Sequence, residues 1–137
     1  MRAARPEVAF GADLIAGFPT ETDAMFDNTL NLIGEAGLTV LHVFPFSPRN
    51  GTPAARMPQI PKAVAKSRAA QLRARGDAAM ATRMTALNGT TQTLLVERGG
   101  IGRTECFAPA RIDAPPGTFM TARITGAARN QLLAQAA

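Results

Sequence analysis

Apolar and polar positions follow two different patterns along this chain, and the change falls near residue 89. Residues 8–17 form an apolar run, strongest at 14–16, which Gly17 and Pro19 end. A near-continuous apolar run is typical of a strand in a parallel sheet that is covered on both faces. A second strand is predicted over 39–46, where β-branched and aromatic residues are frequent.

A helix is predicted between these two strands, over about 20–36. Thr20 suits its N-cap, Asp23 stands three residues further on, and Gly37 suits its C-terminal stop. One face carries large apolar residues at i, i+4 and i+7, namely Phe26, Leu30 and Ile33. The pattern therefore predicts two parallel strands joined by a right-handed crossover, with ligands expected beyond their carboxyl ends.

The rest of the chain reads as a loop, a basic helix and a small β region. Four prolines make 47–61 a loop, a helix is predicted from 62 to about 87, and Asn88-Gly89 marks a boundary. Short β-like segments separated by Gly and Pro turns follow, over 90–97, 101–110, 119–125 and 130–133. They predict a small antiparallel barrel.

Charge is divided unevenly between the two ends of the 137-residue chain. Residues 1–60 carry four Arg and six Asp or Glu, whereas 61–137 carry eleven Lys or Arg and four Asp or Glu. The basic part suits a polyanion, or is simply a solvated surface. Because Trp and Tyr are absent, an RNA contact would depend on phosphates and on seven Phe.

The compartment is predicted from two features. No apolar run approaches the roughly 20 residues that span a bilayer, and basic residues near the N-terminus precede no apolar core. The single cysteine excludes an intramolecular disulfide and suits a reducing compartment. A cytoplasmic protein with no membrane partner is expected.

Few residues suggest chemistry of their own. His42 lies in an apolar strand, so a buried structural role is favoured over catalysis, and a lone Cys106 cannot hold an iron–sulfur cluster. Asp13 and Glu21 flank the first strand end, where either a ligand contact or a local structural role is open. Arg49, just past the second strand, could grip a carboxylate or phosphate or be a plain surface residue.

Several segments together resemble one enzyme family. Residues 13–22 resemble the fifth-strand segment of the radical S-adenosylmethionine tRNA methylthiotransferases, and 43–54 resemble the sixth strand and its loop. The β region, with 102–105 and 122–126, resembles the RNA-binding TRAM domain that ends these enzymes. The sequence of residues 41–47 is most similar to that of the subfamily that acts on threonylcarbamoyladenosine next to the tRNA anticodon.

The resemblance implies an α/β fold, the C-terminal fragment of a partial TIM-like (βα)6 radical SAM barrel followed by a small antiparallel TRAM barrel. It divides the chain into the last strand–helix–strand part of the radical SAM barrel at 1–60, a basic connecting helix at 61–88 and a TRAM-like domain at 89–137. S-adenosylmethionine and two [4Fe-4S] clusters are the implied cofactors. The cluster cysteines are absent from this sequence and are expected in a missing N-terminal part of the enzyme.

The resemblance also implies site residues, none of them catalytic or metal-binding. Those near the cofactor are Asp13, Ile15, Gly17, Phe44 and Phe46. Arg49 would face the substrate nucleotide, and five further arginines would contact tRNA, namely Arg98, Arg103, Arg111, Arg123 and Arg129. The chain departs from its relatives at Cys106, where Asn is common, and at Leu133-Ala134, where Leu-Gly is common.

The preferred interpretation is the C-terminal part of a tRNA methylthiotransferase, a transferase that adds a methylthio group to a modified adenosine and is inactive as this chain alone. One alternative is a non-catalytic RNA-binding module that keeps a barrel remnant as scaffold. Another is a small-molecule-binding α/β domain with an incidental basic half. The reading frame upstream of the Met1 codon separates the first two, and tRNA binding at low salt separates both from the third.

Overall fold

A computed structural model describes residues 3–5, 7–128 and 130–137, which fold as two compact units. The first unit consists of residues 10–79. The second consists of residues 80–137 together with the N-terminal residues up to Ala9. None of the helices in these described ranges is long and apolar enough to cross a membrane.

The first unit is the predicted strand–helix–strand arrangement. Its elements are β1 (Phe10–Ala16), α1 (Asp23–Glu35), β2 (Leu38–Pro45), a short 3-10 helix (Pro53–Arg56) and most of α2 (Lys62–Ala86). Strands β1 and β2 pair in parallel, which confirms the predicted direction. Asp13 lies opposite His42, and Ile15 lies opposite Phe44.

The core of the first unit lies on one face of this two-stranded sheet. Six residues are buried together there, namely Ala16, Phe26, Ile33, Val43, Ala69 and Leu72. Within the described residues the other face of the sheet is open, so the prediction of a strand covered on both faces is wrong. The burial predicted for His42 is also wrong, because strand alternation places this residue on the open face.

Helix α1 begins two residues later than the sequence suggested. Thr22 is the N-cap, with extended backbone and a side-chain oxygen that accepts from the backbone N–H of Met25 at 3.2 Å. Thr20 instead lies in the left-handed region at φ 69°, in the turn before the helix. Gly37 follows the C-cap at φ 57°, as expected of the residue that ends a helix.

The second unit is a closed five-stranded barrel. Its strands are β3 (Thr91–Val96), β4 (Ile101–Thr104), β5 (Pro109–Arg111), β6 (Phe119–Ala128) and β7 (Gln131–Ala136), in the order β3-β4-β5-β7-β6. Every pairing is antiparallel except that of β5 with β7. The predicted small barrel is therefore present, and it departs from an antiparallel one at this single pairing, because five strands cannot alternate in direction all round a closed ring.

One predicted strand, 101–110, is divided in two by a tight turn. The buried hydroxyl oxygen of Thr104 accepts from the backbone N–H of Ala108 at 3.1 Å, and Phe107 takes a left-handed φ of 61°. Around this turn the barrel interior is filled by alternate small and branched residues, among them Leu94, Val96, Ala110, Ala122, Ile124 and Leu132. Met84, from the end of α2, packs into the same core.

Candidate functional sites

The open face of the first unit brings together three of the five residues predicted near a cofactor. Ile15 and Phe44 are register partners and expose 56% and 55% of their surface. Asp13 and His42 form the neighbouring pair on the same face, and both are exposed. An apolar pair beside a carboxylate and an imidazole can hold a flat heterocycle and bond its polar groups.

Gly17 has a packing role that accounts for its being glycine. Its φ is 75°, and a methyl group there would overlap the Cβ of Ala65 on α2 and lie 2.8 Å from the Cα of that residue. The Gly17 N–H donates to Oε2 of Glu21 at 3.0 Å. A contact between Gly17 and a ligand stays a prediction.

Phe46 belongs to an aromatic pair just past the end of β2. Its ring meets that of Phe18 edge to face, with centroids 5.2 Å apart and planes at 71°. The Phe46 N–H donates to the carbonyl oxygen of Ala16 at 2.8 Å, which continues the pairing with β1. Phe18 follows the end of β1 and Phe46 follows the end of β2, so this pair borders the carboxyl end of the sheet. Phe18 is partly exposed there.

Arg49 lies in the loop after β2 with an exposed side chain. Its backbone is held in place, since its carbonyl oxygen accepts from the Thr52 hydroxyl at 2.8 Å and from the Thr52 N–H at 3.2 Å. A fixed backbone with an exposed guanidinium is compatible with the predicted contact to substrate.

A buried arginine that the sequence analysis did not single out lies between the two helices of this unit. Nη1 of Arg68 donates a hydrogen bond to Oε2 of Glu21 at 2.7 Å, and Nη2 donates one to Oδ1 of Asp23 at 2.6 Å. Its guanidinium carbon lies 5.4 Å from the centre of the Phe26 ring. Glu21 therefore pairs with a buried arginine, which gives it the local structural role that its sequence position allowed.

The electrostatics of Arg68 follow from this environment. Burial is the largest single influence and lowers the pKa of the guanidinium, but hydrogen bonds and charges from Asp23 and Glu21 together raise it above its usual value. The sequence did hold a signal, because Ala65, Arg68, Ala69 and Leu72 share the spacing of one helix face.

Four of the five arginines predicted to contact tRNA are exposed on the barrel. Arg103 on β4 and Arg111 on β5 occupy diagonal positions of paired strands, since Arg103 lies opposite Pro109 and Ile101 opposite Arg111. Arg123 is further away, on β6, and Arg98 lies in the β3–β4 turn. The fifth, Arg129, lies outside the described residues.

Arg111 borders an open groove of about 750 Å³ on the barrel. Its polar lining includes Asp113, Thr125, Gln131 and Gln135. Gly99 and Gly100 also border the groove. Amide, hydroxyl and guanidinium donors around an open groove suit the sugar and phosphate groups of a nucleic acid.

Cys106 lies in the turn between β4 and β5 rather than in a strand. Its thiol is buried and donates to the carbonyl oxygen of Glu7 at 2.8 Å. Among the described residues, no group of three or more His, Cys, Asp or Glu side chains is placed to hold a metal ion.

Comparison with known proteins identifies the relatives of this chain. No protein-family model matches it. The threonylcarbamoyladenosine tRNA methylthiotransferase of Rickettsia prowazekii is 53% identical over 113 residues, which are 82% of this chain and 27% of that protein. The tRNA-2-methylthio-N(6)-dimethylallyladenosine synthase of Coxiella burnetii is 45% identical over 97 residues, which are 70% of this chain and 22% of that protein.

The chain spans about a quarter of the length of the curated relatives it matches, in their C-terminal part. The two relatives are named for methylthio groups on different modified adenosines of tRNA, and both align with most of the chain. On this evidence the chain belongs to the tRNA methylthiotransferase family.

Proposed function

We propose that this chain is the C-terminal part of an enzyme that adds a methylthio group to a modified adenosine next to the tRNA anticodon. The observation that carries the proposal is the 53% identity, over 82% of this chain, to a threonylcarbamoyladenosine tRNA methylthiotransferase. In the proposed enzyme, the first unit completes a cofactor pocket and the barrel binds tRNA.

The open face of the first unit fits part of S-adenosylmethionine. Ile15 and Phe44 would pack against the adenosyl group, with Asp13 close enough on the same face to accept a hydrogen bond from it. When bound, S-adenosylmethionine supplies the radical that activates the substrate and the methyl group that is transferred. The residues of this chain bind and orient the cofactor and keep water from the pocket.

The residues of this chain do not fit a [4Fe-4S] cluster. Such clusters are held by several cysteine thiolates. The sequence contains one cysteine, whose thiol donates a hydrogen bond to the carbonyl oxygen of Glu7. No step of the reaction is therefore assigned to a cluster within this chain.

A chimera tests the proposal directly. The matched quarter of the Rickettsia relative is replaced by the 113 matching residues of this chain, and methylthio-adenosine in tRNA is measured by mass spectrometry. We expect the chimera to restore modification. Phe44→Ala should reduce it about tenfold by weakening cofactor binding, since a buried phenyl contributes about 1.5–3 kcal/mol.

Met25→Ala is the matched control, because Met25 is as exposed as Phe44 but lies on α1, away from the open face. A folded chimera that leaves tRNA unmodified would contradict the enzymatic role. If that chimera still bound tRNA, the alternative of a non-catalytic RNA-binding module would become the better account.

A further inference from the structure

The outer wall of the barrel carries a row of exposed side chains that its own core does not use. Leu95 on β3 lies opposite Phe119 on β6 on one side and opposite Arg103 on β4 on the other. Register partners point to the same side of a sheet, so the three side chains stand next to one another. Phe119 exposes 76% of its surface, so it contributes little to the stability of the barrel.

A second exposed phenyl lies next to this row. Phe107 is 73% exposed, and its carbonyl oxygen accepts from Nη1 of Arg103 at 3.5 Å. Its φ of 61° is a conformation that costs an aromatic residue free energy, and such strained positions concentrate at functional sites. Arg103 is also bonded to Glu97 at 3.3 Å, so its guanidinium is held between two partners on the wall.

We infer that this aromatic wall, made of Leu95, Arg103, Phe107 and Phe119, is a stacking surface for unpaired nucleobases of single-stranded RNA. Phenyl rings and guanidinium groups offer flat faces to any base, and stacking on them is largely independent of sequence. Phe119 and Arg103 lie two strand spacings apart, a distance of about 10 Å. Each of the two side chains can therefore stack with a separate base. The inference rests on the proposed tRNA-binding role and adds which part of the RNA the barrel holds.

Charge favours RNA over a protein partner for this wall. Arg103 belongs to the wall, where it is paired with Glu97, and Arg111 occupies the diagonal position on the paired strand. A phosphate backbone running past stacked bases would meet both cations. Duplex RNA keeps its bases stacked internally, so the wall should distinguish a loop from a helix.

Fluorescence tests the inference, because the chain contains neither Trp nor Tyr. Phe119→Trp creates a single indole on the wall, and we expect a tRNA anticodon stem-loop to quench its emission while a duplex RNA of equal charge does not. Leu32→Trp, at a partly exposed position on α1, is the control and should not respond to either RNA. Unchanged emission at position 119 with the stem-loop bound would overturn the inference.

Affinity gives an independent measure. Phe119→Ala should weaken stem-loop binding about tenfold, within the range measured for one stacked base, and leave duplex affinity and salt dependence unchanged. Phe119→Leu keeps the apolar bulk without the ring and should weaken binding similarly, with an unchanged circular dichroism spectrum confirming the fold.

The outcomes separate this inference from the proposed function. If the unmodified chain binds no RNA, both fail. If the chain binds the stem-loop and Phe119→Ala binds it equally well, only the stacking surface is wrong. If Phe119→Ala alters sedimentation but not RNA affinity, the wall contacts protein instead, which also overturns the inference.

Discussion

Gly17 is the residue at which the turn after β1 and the packing of α2 meet. Its positive φ favours glycine, and the approach of Ala65 leaves no space for a side chain. Gly51 has a similar φ of 86°, but no atom lies within 4 Å of the position that a Cβ would occupy. The two residues therefore separate the effect of backbone conformation from that of close packing.

Substituting alanine at these two positions should give different losses of stability. Gly17→Ala should lower the free energy of unfolding by about 2–4 kcal/mol, because backbone strain and overpacking add. Gly51→Ala should lower it by about 1 kcal/mol, because strain acts alone. Urea unfolding of both variants measures the difference, and equal losses would show that the contact with Ala65 is unimportant.

Strand alternation explains how much of the candidate cofactor site the sequence could predict. Asp13 and Ile15 are two residues apart, so one face is expected for both, and the structure shows that face. The exposure of His42 could not be predicted, because the apolar run of β2 resembles a strand covered on both sides. Which face is open depends on how α1 and α2 pack, and that information is not local.

At the scale of elements, the two ion pairs of Arg68 hold the beginning of α1 against α2. Arg68 is buried, and its side chain also donates to the backbone carbonyl oxygen of Glu21 at 2.9 Å. Glu21 is nearly as buried, whereas the Asp23 side chain is 96% exposed. The Arg68–Glu21 contact should therefore contribute most of the stability of this junction, since exposed pairs are screened by water.

The two carboxylates allow a graded test of the junction. Arg68→Met should lower the free energy of unfolding by about 3 kcal/mol, because it leaves the buried Glu21 carboxylate without its partner. Asp23→Asn should change it by less than about 1 kcal/mol. Chemical denaturation of the two variants decides between these values, and a loss for Asp23→Asn as large as that for Arg68→Met would refute the assignment.

Elements with strong local signals were predictable, and those defined by turns were not. Helix α2 runs over Lys62–Ala86, against a prediction of 62 to about 87. The β4–β5 turn was missed, because Phe107 is an unusual residue for a left-handed conformation and nothing in the alternation marks it. The strand β7 was placed too early, since its pairing with β6 extends to Ala136.

At the scale of the whole chain, the two units carry different candidate binding surfaces. The first unit carries the open apolar face, and the barrel carries exposed arginines. An open apolar face such as that of Ile15 and Phe44 is unusual on a stable monomer surface and is typical of a surface that binds something. This chain spans about a quarter of the length of the curated relatives it matches, and under the proposed function the open face is where the cofactor binds.

The salt dependence of tRNA affinity tests the central claim, that the barrel is the tRNA-binding part of a methylthiotransferase, most directly. Plots of log affinity against log salt should be linear for the unmodified chain, and Arg103→Gln or Arg111→Gln should each reduce the slope by about 0.7–0.9, as for loss of one phosphate contact. Arg56→Gln removes the same charge from the 3-10 helix of the first unit and should leave the slope unchanged. Absence of tRNA binding at low salt, or equal slopes for all three variants, would contradict the account.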